Sequence, residues 1–167
     1  MKKAVDIEKY KQMYVKFLES RQTAVLSFVG KDGKPFSSTT PFVKKDDKLY
    51  IYISQIAEHY QLTENSEVVD VLLRADESKT KNPFATERVR FSCTPKNIGN
   101  AGHEAIFDLF NEMYGKSMMD LFRGLDFSLF ELSPMSGRYV VGFGLAFDLT
   151  IDAEVFEHVV VDKKAAN

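Results

Sequence analysis

Residues 48–62 join a buried strand to the first turn of a helix, and this arrangement can bind an anion. Residues 49–53 are an uninterrupted run of β-branched, aromatic and aliphatic side chains, which is typical of a strand buried on both faces. Beyond Ser54, apolar side chains recur at helical spacing. The first turn of a helix has free backbone N–H groups and the positive end of the helix dipole. A phosphate or carboxylate can therefore bind there.

Three side chains around this turn are candidate contacts for such an anion. Ser54 can cap the helix and donate its hydroxyl group, Gln55 follows it directly, and His59 can add a donor about one and a half turns later. A simpler interpretation also fits, in which Ser54 is only an N-cap and His59 only a surface histidine. The residues alone leave both interpretations open.

A second candidate site is a pair of arginines on one predicted strand. Residues 87–93 alternate strictly between apolar and polar side chains, so Arg88 and Arg90 lie on the same face. A guanidinium group binds a phosphate or carboxylate through two parallel hydrogen bonds. Alternatively, both arginines are solvated or paired with Glu64 or Glu87. We expect either a cationic strip for an anionic ligand or ordinary surface ion pairs.

The elements that must position these residues are mostly antiparallel strands. An Asp-Gly turn at residues 32–33 predicts a hairpin, and the strand at 36–43 must be an edge or interrupted strand because Pro41 cannot donate a ladder hydrogen bond. With the strand at 49–53 it is expected to form a meander. The remaining predicted elements are helices at 6–20, 100–114 and near 118–122, strands at 23–29, 67–74, 87–93, 127–132 and 138–149, and a last helical turn within 152–159.

Within this pattern the turn at residues 134–137 separates two strands, and the glycines at 142 and 144 mark a bulge inside the second strand. No βαβ rhythm is present. We therefore predict a mainly β (α+β) fold, a small antiparallel split β-barrel with flanking helices. The chain is expected to form one domain, 1–167, with an N-terminal helix (1–22), the barrel (23–150) and a C-terminal helix and tail (151–167).

A methionine-containing apolar group marks the short helix near residues 118–122. Its members are Met118, Met119, Leu121 and Phe122. Such a group can contact a flat hydrophobic ligand, and it can equally belong to the core or to a subunit interface. The sequence leaves these alternatives open.

Composition excludes several classes of function. The 167 residues carry a net charge of −2 at pH 7, which does not suggest nucleic-acid binding. No apolar segment is long enough to span a membrane or resembles a signal peptide, and the lone Cys93 excludes an internal disulfide, so we expect a cytoplasmic protein. Cys93 sits at an apolar strand position and is predicted to be core. Neither a zinc motif nor a Gly-x-Ser-x-Gly nucleophile elbow is present.

Five motifs, taken in order, carry a resemblance to a known family. They are Thr-Pro-Phe-Val at 40–43, Ile-Ser-Gln-Ile-Ala-Glu-His at 53–59, Asn-Pro-Phe-Ala-Thr-Glu-Arg-Val-Arg-Phe at 82–91, Asp-Phe-Ser-Leu-Phe at 126–130 and Gly-Phe-Gly-Leu-Ala-Phe at 142–147. Together they resemble the pyridoxamine-phosphate-oxidase-like, FMN-binding split barrels, and most of all the haem-utilisation (HugZ/HutZ-type) branch. The similarity covers most of residues 23–149.

The resemblance implies a homodimer with two cofactor sites at the subunit interface. In flavin-binding relatives the turn matching residues 54–59 holds the FMN phosphate, and the strand matching residues 37–42 lines the flavin ring. In haem-handling relatives the position matching Arg88 faces a propionate, the position matching Asp126 supports the ligation shell, and a histidine in the C-terminal tail binds the iron. The cofactor contacts expected here are Ser38, Thr39, Thr40, Pro41, Phe42, Ser54, Gln55, His59, Arg88 and Arg90.

The chain departs from that pattern at its C-terminal end. Residues 162–167 contain no histidine, and the last one is His158, which becomes the candidate iron ligand and, with Asp126, a candidate catalytic residue. The resident cofactor is FMN or haem. Three functions remain open: a haem-utilisation protein that degrades or stores haem, an FMN-dependent oxidoreductase of unknown substrate, and a non-catalytic haem carrier or redox sensor.

Overall fold

The computed structural model describes residues 4–160, and its helices pack on both sides of a curled sheet. The helices are α1 (Ile7–Glu19), α2 (Glu58–Asn65), α3 (Glu104–Tyr114) and α4 (Lys116–Arg123). Helix α1 was expected at residues 6–20, and this prediction is confirmed. Asp6 caps it by accepting the N–H of Lys9 at 3.1 Å, and the helix buries Tyr14, Phe17 and Leu18.

The described residues form nine strands in one antiparallel sheet. They are β1 (Thr23–Val29), β2 (Pro35–Pro41), β3 (Val43–Lys45), β4 (Lys48–Ser54), β5 (Val69–Arg74), β6 (Arg88–Asn97), β7 (Phe127–Gly142), β8 (Leu145–Leu149) and β9 (Phe156–His158). The strand order is β2-β1-β5-β6-β7-β4-β3, with β8 beside β7 and β9 beside β8. This curled antiparallel sheet with flanking helices confirms the predicted split-barrel fold class.

Strand β4 is buried on both faces, as its sequence predicted. Leu49, Ile51 and Ile53 join the larger core cluster beneath α1, whereas Tyr50 and Tyr52 join a second cluster with α3 and α4. The sheet therefore separates two apolar layers, and the alternation of a strand decides which layer each side chain enters.

The predicted meander is wrong, because residues 36–43 do not form one strand. Strand β2 ends at Pro41, and Phe42 donates its N–H to the carbonyl oxygen of Gln22 at 3.1 Å. Strand β3 then begins at Val43 and pairs only with β4, so β2 and β3 end the sheet on opposite sides. Pro41 interrupts the strand as predicted, since it has no N–H for a ladder.

Strand β7 was predicted as two strands separated by a turn at residues 134–137, and this prediction is wrong. The strand continues through Pro134, which lies opposite Cys93 where the register with β6 shifts. A proline is tolerated at such an irregularity because no regular ladder bond is required of it. The register between β7 and β8 shifts between Val140 and Gly142, so the irregularity predicted at the glycines 142 and 144 is present. The continuous strand predicted at 138–149 is wrong, because the segment 142–144 closes the β7–β8 hairpin, where Gly144 has a φ of +67°.

The helical turn predicted within residues 152–159 is also wrong. Thr150 donates its hydroxyl to Asp152 Oδ1, and its Oγ1 accepts the N–H of Val155 at 3.1 Å. These local bonds reverse the chain, so that β9 pairs with β8 instead of starting a helix. The predicted C-terminal tail at 162–167 lies outside the described residues.

Candidate functional site

The turn between β4 and α2 contains two predicted site residues and binds a third. Ser54 Oγ donates to Asp126 Oδ1 at 2.9 Å and accepts the N–H of Ile56 at 3.3 Å. The prediction that Ser54 caps the helix is wrong, because α2 begins at Glu58 and its N-cap is Ala57. The hydroxyl proton of Ser54 is therefore already used by a carboxylate, where an anion was expected.

Backbone N–H groups before α2 are occupied as well. Gln55 donates to the carbonyl oxygen of Asp126 at 3.2 Å, and Ala57 donates to that of Ser54 at 3.0 Å. The side chain of Glu58 adds a negative charge to the first turn of α2. The first turn of α2 has no side-chain cap, but an anion bound there would meet the carboxylates of Asp126 and Glu58, so the turn in a single chain is a poor phosphate site.

The edge strand β2 contributes one predicted residue that meets another. Ser38 Oγ lies 2.9 Å from His59 Nδ1, and burial lowers the pKa of His59. The residues that follow it alternate in exposure: Thr39 and Pro41 are exposed, whereas Thr40 and Phe42 are buried. Of the five candidates from 38 to 42, Ser38 is the one with a side-chain hydrogen bond to α2.

The two arginines of β6 have different partners. Arg90 donates to Asp70 Oδ2 at 2.8 Å, so it is paired, but with neither Glu64 nor Glu87. Arg88 is half-buried and donates to the carbonyl oxygen of Thr86 at 2.9 Å. Within residues 4–160 no carboxylate lies in ion-pair distance of Arg88. Arg88 therefore keeps donor capacity for an external anion.

His158, the candidate iron ligand, lies on β9 near the same end of the sheet. Its Nε2 is 3.0 Å from the carbonyl oxygen of Gly144, and its ring centroid is 5.3 Å from that of Phe147. His158 pairs with Phe147, which pairs with the buried Tyr139. Residues directly opposite each other share a face, so His158 belongs to the face that packs on α1. Arg88 has the opposite orientation, and the structure does not bring the two together.

Strand β7 separates the predicted site residues into two groups. Ser54 pairs with Phe127 at the start of β7, next to Asp126, whereas Arg88 pairs with Val140 near its end. The distance between these positions is roughly 40 Å along the strand, at about 3.3 Å per residue. One chain therefore holds Ser54, His59 and Asp126 at one end and Arg88 and His158 at the other.

A cavity of about 680 Å³ adjoins the Arg88 end of the sheet. Its lining includes Arg21, Thr23 and Arg74, and Arg74 is the cross-strand neighbour of Arg88. Arg21 donates to the carbonyl oxygen of Arg74 at 2.9 Å, and Arg74 pairs with Glu77 at 2.6 Å. The volume is in the range of small-molecule sites. Two exposed aromatic side chains, Phe84 at 85% and Phe143 at 69%, lie in nearby turns.

Sequence reasoning missed Asp70, Arg74 and Arg21. The alternation of β5 places Asp70 and Arg74 on one face, so the period-2 pattern would have aligned them with the face of β6 that carries Arg88 and Arg90. Arg21 lies between α1 and β1, and no local pattern indicates its role.

Within the described part of the chain, no group of three or more His, Cys, Asp or Glu residues could hold a metal ion, and no helix could cross a membrane.

The sequence matches a model of the pyridoxamine 5′-phosphate oxidase family over residues 10–141. HutZ of Vibrio cholerae serotype O1, described as a haem oxygenase, is 30% identical over 138 residues, which are 81% of this chain and 78% of HutZ. Similar structures confirm the fold. ChuZ of Campylobacter jejuni has a TM-score of 0.84 and 26% identity over 95% of this chain, which spans 65% of the ChuZ chain.

A crystal structure of Vibrio cholerae HutZ, described there as a haem storage protein, has a TM-score of 0.69 and 27% identity, with 78% of this chain and 92% of that chain covered. The family match covers most of the chain, and HutZ is similar over most of its own length. This chain therefore belongs to the pyridoxamine 5′-phosphate oxidase family of split barrels, in its haem-utilisation branch.

Proposed function

We propose that this protein binds haem as a homodimer and acts in haem utilisation. The observation that carries the proposal is the state of Arg88, which has no carboxylate partner among the described residues and lies opposite Arg74, a residue that lines the cavity. Its neighbours on the same face, Arg74, Arg90 and Arg138, are each paired with an acid. HutZ, described as a haem oxygenase and as a haem storage protein, supports haem as the ligand class.

The residues around Arg88 fit an anionic, planar group. A haem propionate is a carboxylate, which a guanidinium group binds through two parallel hydrogen bonds. The exposed rings of Phe84 and Phe143 offer apolar surface near that charge. An arginine without an acidic partner and exposed aromatic rings in neighbouring segments together offer the charge and the apolar surface that an amphipathic macrocycle requires.

Haem is favoured over FMN by the state of the β4–α2 turn. FMN needs a phosphate site. By the resemblance to flavin-binding relatives, the turn at 54–59 would supply it. The N–H groups of Gln55, Ile56 and Ala57 already donate hydrogen bonds within the chain, and the hydroxyl of Ser54 donates to Asp126. A phosphate bound there would compete with these bonds and would lie beside the carboxylates of Asp126 and Glu58, which repel it.

A dimer would unite the two groups of site residues. Two copies related by a two-fold axis perpendicular to β7 place the Arg88 end of one beside the Asp126 end of the other, and the contact occurs twice. This arrangement makes Asp126 of one copy and Arg88 of the other neighbours of the same ligand. It also accounts for site residues separated by roughly 40 Å along one strand.

Haem supplies redox chemistry when bound, and the residues of this chain would bind and orient it. His158 is the proposed iron ligand, but it lies on the opposite sheet face from Arg88. It could bind the iron of the same haem only if β9 left β8 and Nε2 left the carbonyl oxygen of Gly144. Because the Nδ1 atom lies next to the Cβ atom, Nε2 is the nitrogen that a macrocycle can approach.

We place the protein in the cytoplasm, since its lone Cys93 is buried and forms no disulfide.

Titration with haemin, followed by the Soret band, tests the proposal. We expect Arg88→Leu to weaken haem binding about tenfold or more, because a charge-assisted bond contributes about 1.5–3 kcal/mol. Arg138→Leu is the matched control, since Arg138 lies on the same sheet face and is tied to Asp148 at 2.8 Å. It should leave affinity within about twofold. Arg90→Leu should give a loss between the two. Equal affinity of the wild type and Arg88→Leu would contradict the proposal.

Three further measurements separate the alternatives. An unchanged Soret maximum in His158→Ala would remove His158 as the ligand. A flavin spectrum of the purified protein, or tight FMN binding in titration, would favour the FMN-dependent oxidoreductase instead. Incubation of the haem complex with a reductant and oxygen distinguishes degradation, seen as loss of the Soret band with product formation, from storage, seen as a stable complex.

A further inference from the structure

Helix α4 and the adjacent β4–α2 turn expose an apolar surface that the proposed haem contacts do not explain. We call this surface the apolar wall and define it by four side chains. They are Ile56, exposed to 91%, Met118 to 51%, Leu121 to 63% and Leu125 to 56%. The other apolar face of α4, with Met119 buried, packs on the second core cluster, so the wall is not a part of the core. Exposed apolar patches of this kind mark interaction sites.

The wall is joined to the Asp126 end of β7 by hydrogen bonds. Asp126 follows Leu125 directly, accepts the N–H of Gln55 through its carbonyl oxygen at 3.2 Å, and accepts the hydroxyl of Ser54 at 2.9 Å. Ile56 is next to Gln55 and therefore lies on the same side. Ile56 and Leu125 thus flank Asp126, at the end of β7 that is remote from Arg88.

Charge and polarity at the two ends of β7 are complementary. The exposed carboxylates of Asp126 and Glu58 border the wall, whereas Arg88 lies at the other end without an acid among the described residues. Exposed Phe84 and Phe143 lie near Arg88, as the wall lies near Asp126. Each end therefore presents apolar surface beside one sign of charge. A second copy, turned about a two-fold axis, would place unlike ends together.

We infer that the apolar wall of one copy covers the haem macrocycle that Arg88 of the other copy holds by its propionate. This inference rests on the proposed function and adds the identity of the covering surface. The ligand then contacts a guanidinium group from one chain and aliphatic side chains from its partner. Leu121, the more exposed of the two apolar wall residues on α4, is a specificity-determining contact for a planar apolar ligand.

Variants in separate chains test this arrangement directly. Leu121→Gln replaces one aliphatic side chain of the wall with a polar one, and Arg88→Leu removes the cation. Each homodimer should bind haemin about tenfold more weakly than the wild type. The two chains are then coexpressed with different affinity tags and the mixed dimer is purified. One of its sites combines the intact Arg88 with the intact wall, and the other carries both defects. We expect the mixed dimer to bind one haem per dimer with wild-type affinity.

Two outcomes overturn the inference while leaving haem binding itself intact. One is wild-type affinity in Leu121→Gln and in Leu125→Gln, which would show that the wall does not touch the ligand. The other is a mixed dimer whose sites are both weak, which would place Leu121 and Arg88 of the same chain at one site. Val15→Gln is the matched control, because Val15 is 40% exposed on α1, outside the wall, and should keep wild-type affinity. A wild-type protein that fails to bind haemin would overturn the proposed function as well.

Discussion

Ser38 Oγ and His59 Nδ1 lie 2.9 Å apart and join the edge strand β2 to the first turn of α2. Within α2, the hydroxyl of Thr63 donates to the carbonyl oxygen of His59 at 2.7 Å. Burial lowers the pKa of the His59 imidazole below its ordinary value of 6.5, so the folded protein favours the neutral ring. The pair therefore makes the stability of this corner depend on pH.

We predict that His59 contributes to a loss of stability on acidification. Because its pKa is lower in the folded state than in the unfolded state, the unfolded chain binds the proton first as the pH falls below about 6.5. The stabilisation by the neutral ring is present above that pH and decreases from there down to the folded pKa. Urea unfolding at several values from about pH 8 to about pH 5 measures it.

In the variant His59→Gln this part of the pH dependence should disappear, while the amide can still bond to Ser38. The slopes of unfolding free energy against pH are compared between about pH 6.5 and about pH 5. Identical slopes for the wild type and the variant would show that His59 is not the group responsible.

Tyr14→Phe should destabilise the protein by about 1–2 kcal/mol. The hydroxyl of Tyr14 is buried and donates to the carbonyl oxygen of Ile151 at 2.7 Å, so its removal leaves a buried acceptor unsatisfied. The bond ties α1 to the turn before β9. Chemical denaturation gives the difference, with Tyr10→Phe as the control, since Tyr10 is half-buried and its hydroxyl has no hydrogen bond within the described chain. Equal losses in both variants would refute the assignment.

Gly137→Ala should be destabilising by about 1–3 kcal/mol, because the added methyl group overpacks the core. A Cβ atom at this position would lie 2.6 Å from Cδ1 of Phe91 and 3.1 Å from the carbonyl oxygen of Arg90. Phe91 is fully buried and cannot move freely. Gly142→Ala is the matched change on the same strand, where the nearest atom is 3.4 Å away on Leu145, and it should be close to neutral. Thermal or urea unfolding of the two variants distinguishes them.

Cys93 should be unreactive in the folded protein. Its side chain is fully buried, and burial raises the pKa of its thiol to about 12, so the reactive thiolate is scarce at neutral pH. With a thiol reagent at about pH 8, we expect labelling to follow the rate of unfolding and to become rapid in denaturant. Fast labelling of the native protein would mean that β6 opens locally.

Much of the fold could be predicted from local patterns. The 3.6-residue rhythm of α1, the alternation of β6 and the apolar run of β4 each carry their own evidence, and burial of Cys93 follows from its strand position. Errors arose where the pattern does not say what a residue pairs with. Pro134 predicts a turn from the sequence. It lies inside β7, because the register between β6 and β7 shifts opposite it.

The candidate site shows the same division. The sequence by itself determined which residue types could bind an anion, because charge and hydrogen-bonding capacity belong to each side chain. Only the tertiary structure decided which hydrogen-bonding groups are still available to a ligand. Arg90 donates to Asp70 and Ser54 donates to Asp126, whereas the guanidinium group of Arg88 has no acidic partner among the described residues. Those pairings depend on strand register across long loops, and register is set by packing of the whole sheet, not by neighbours in sequence.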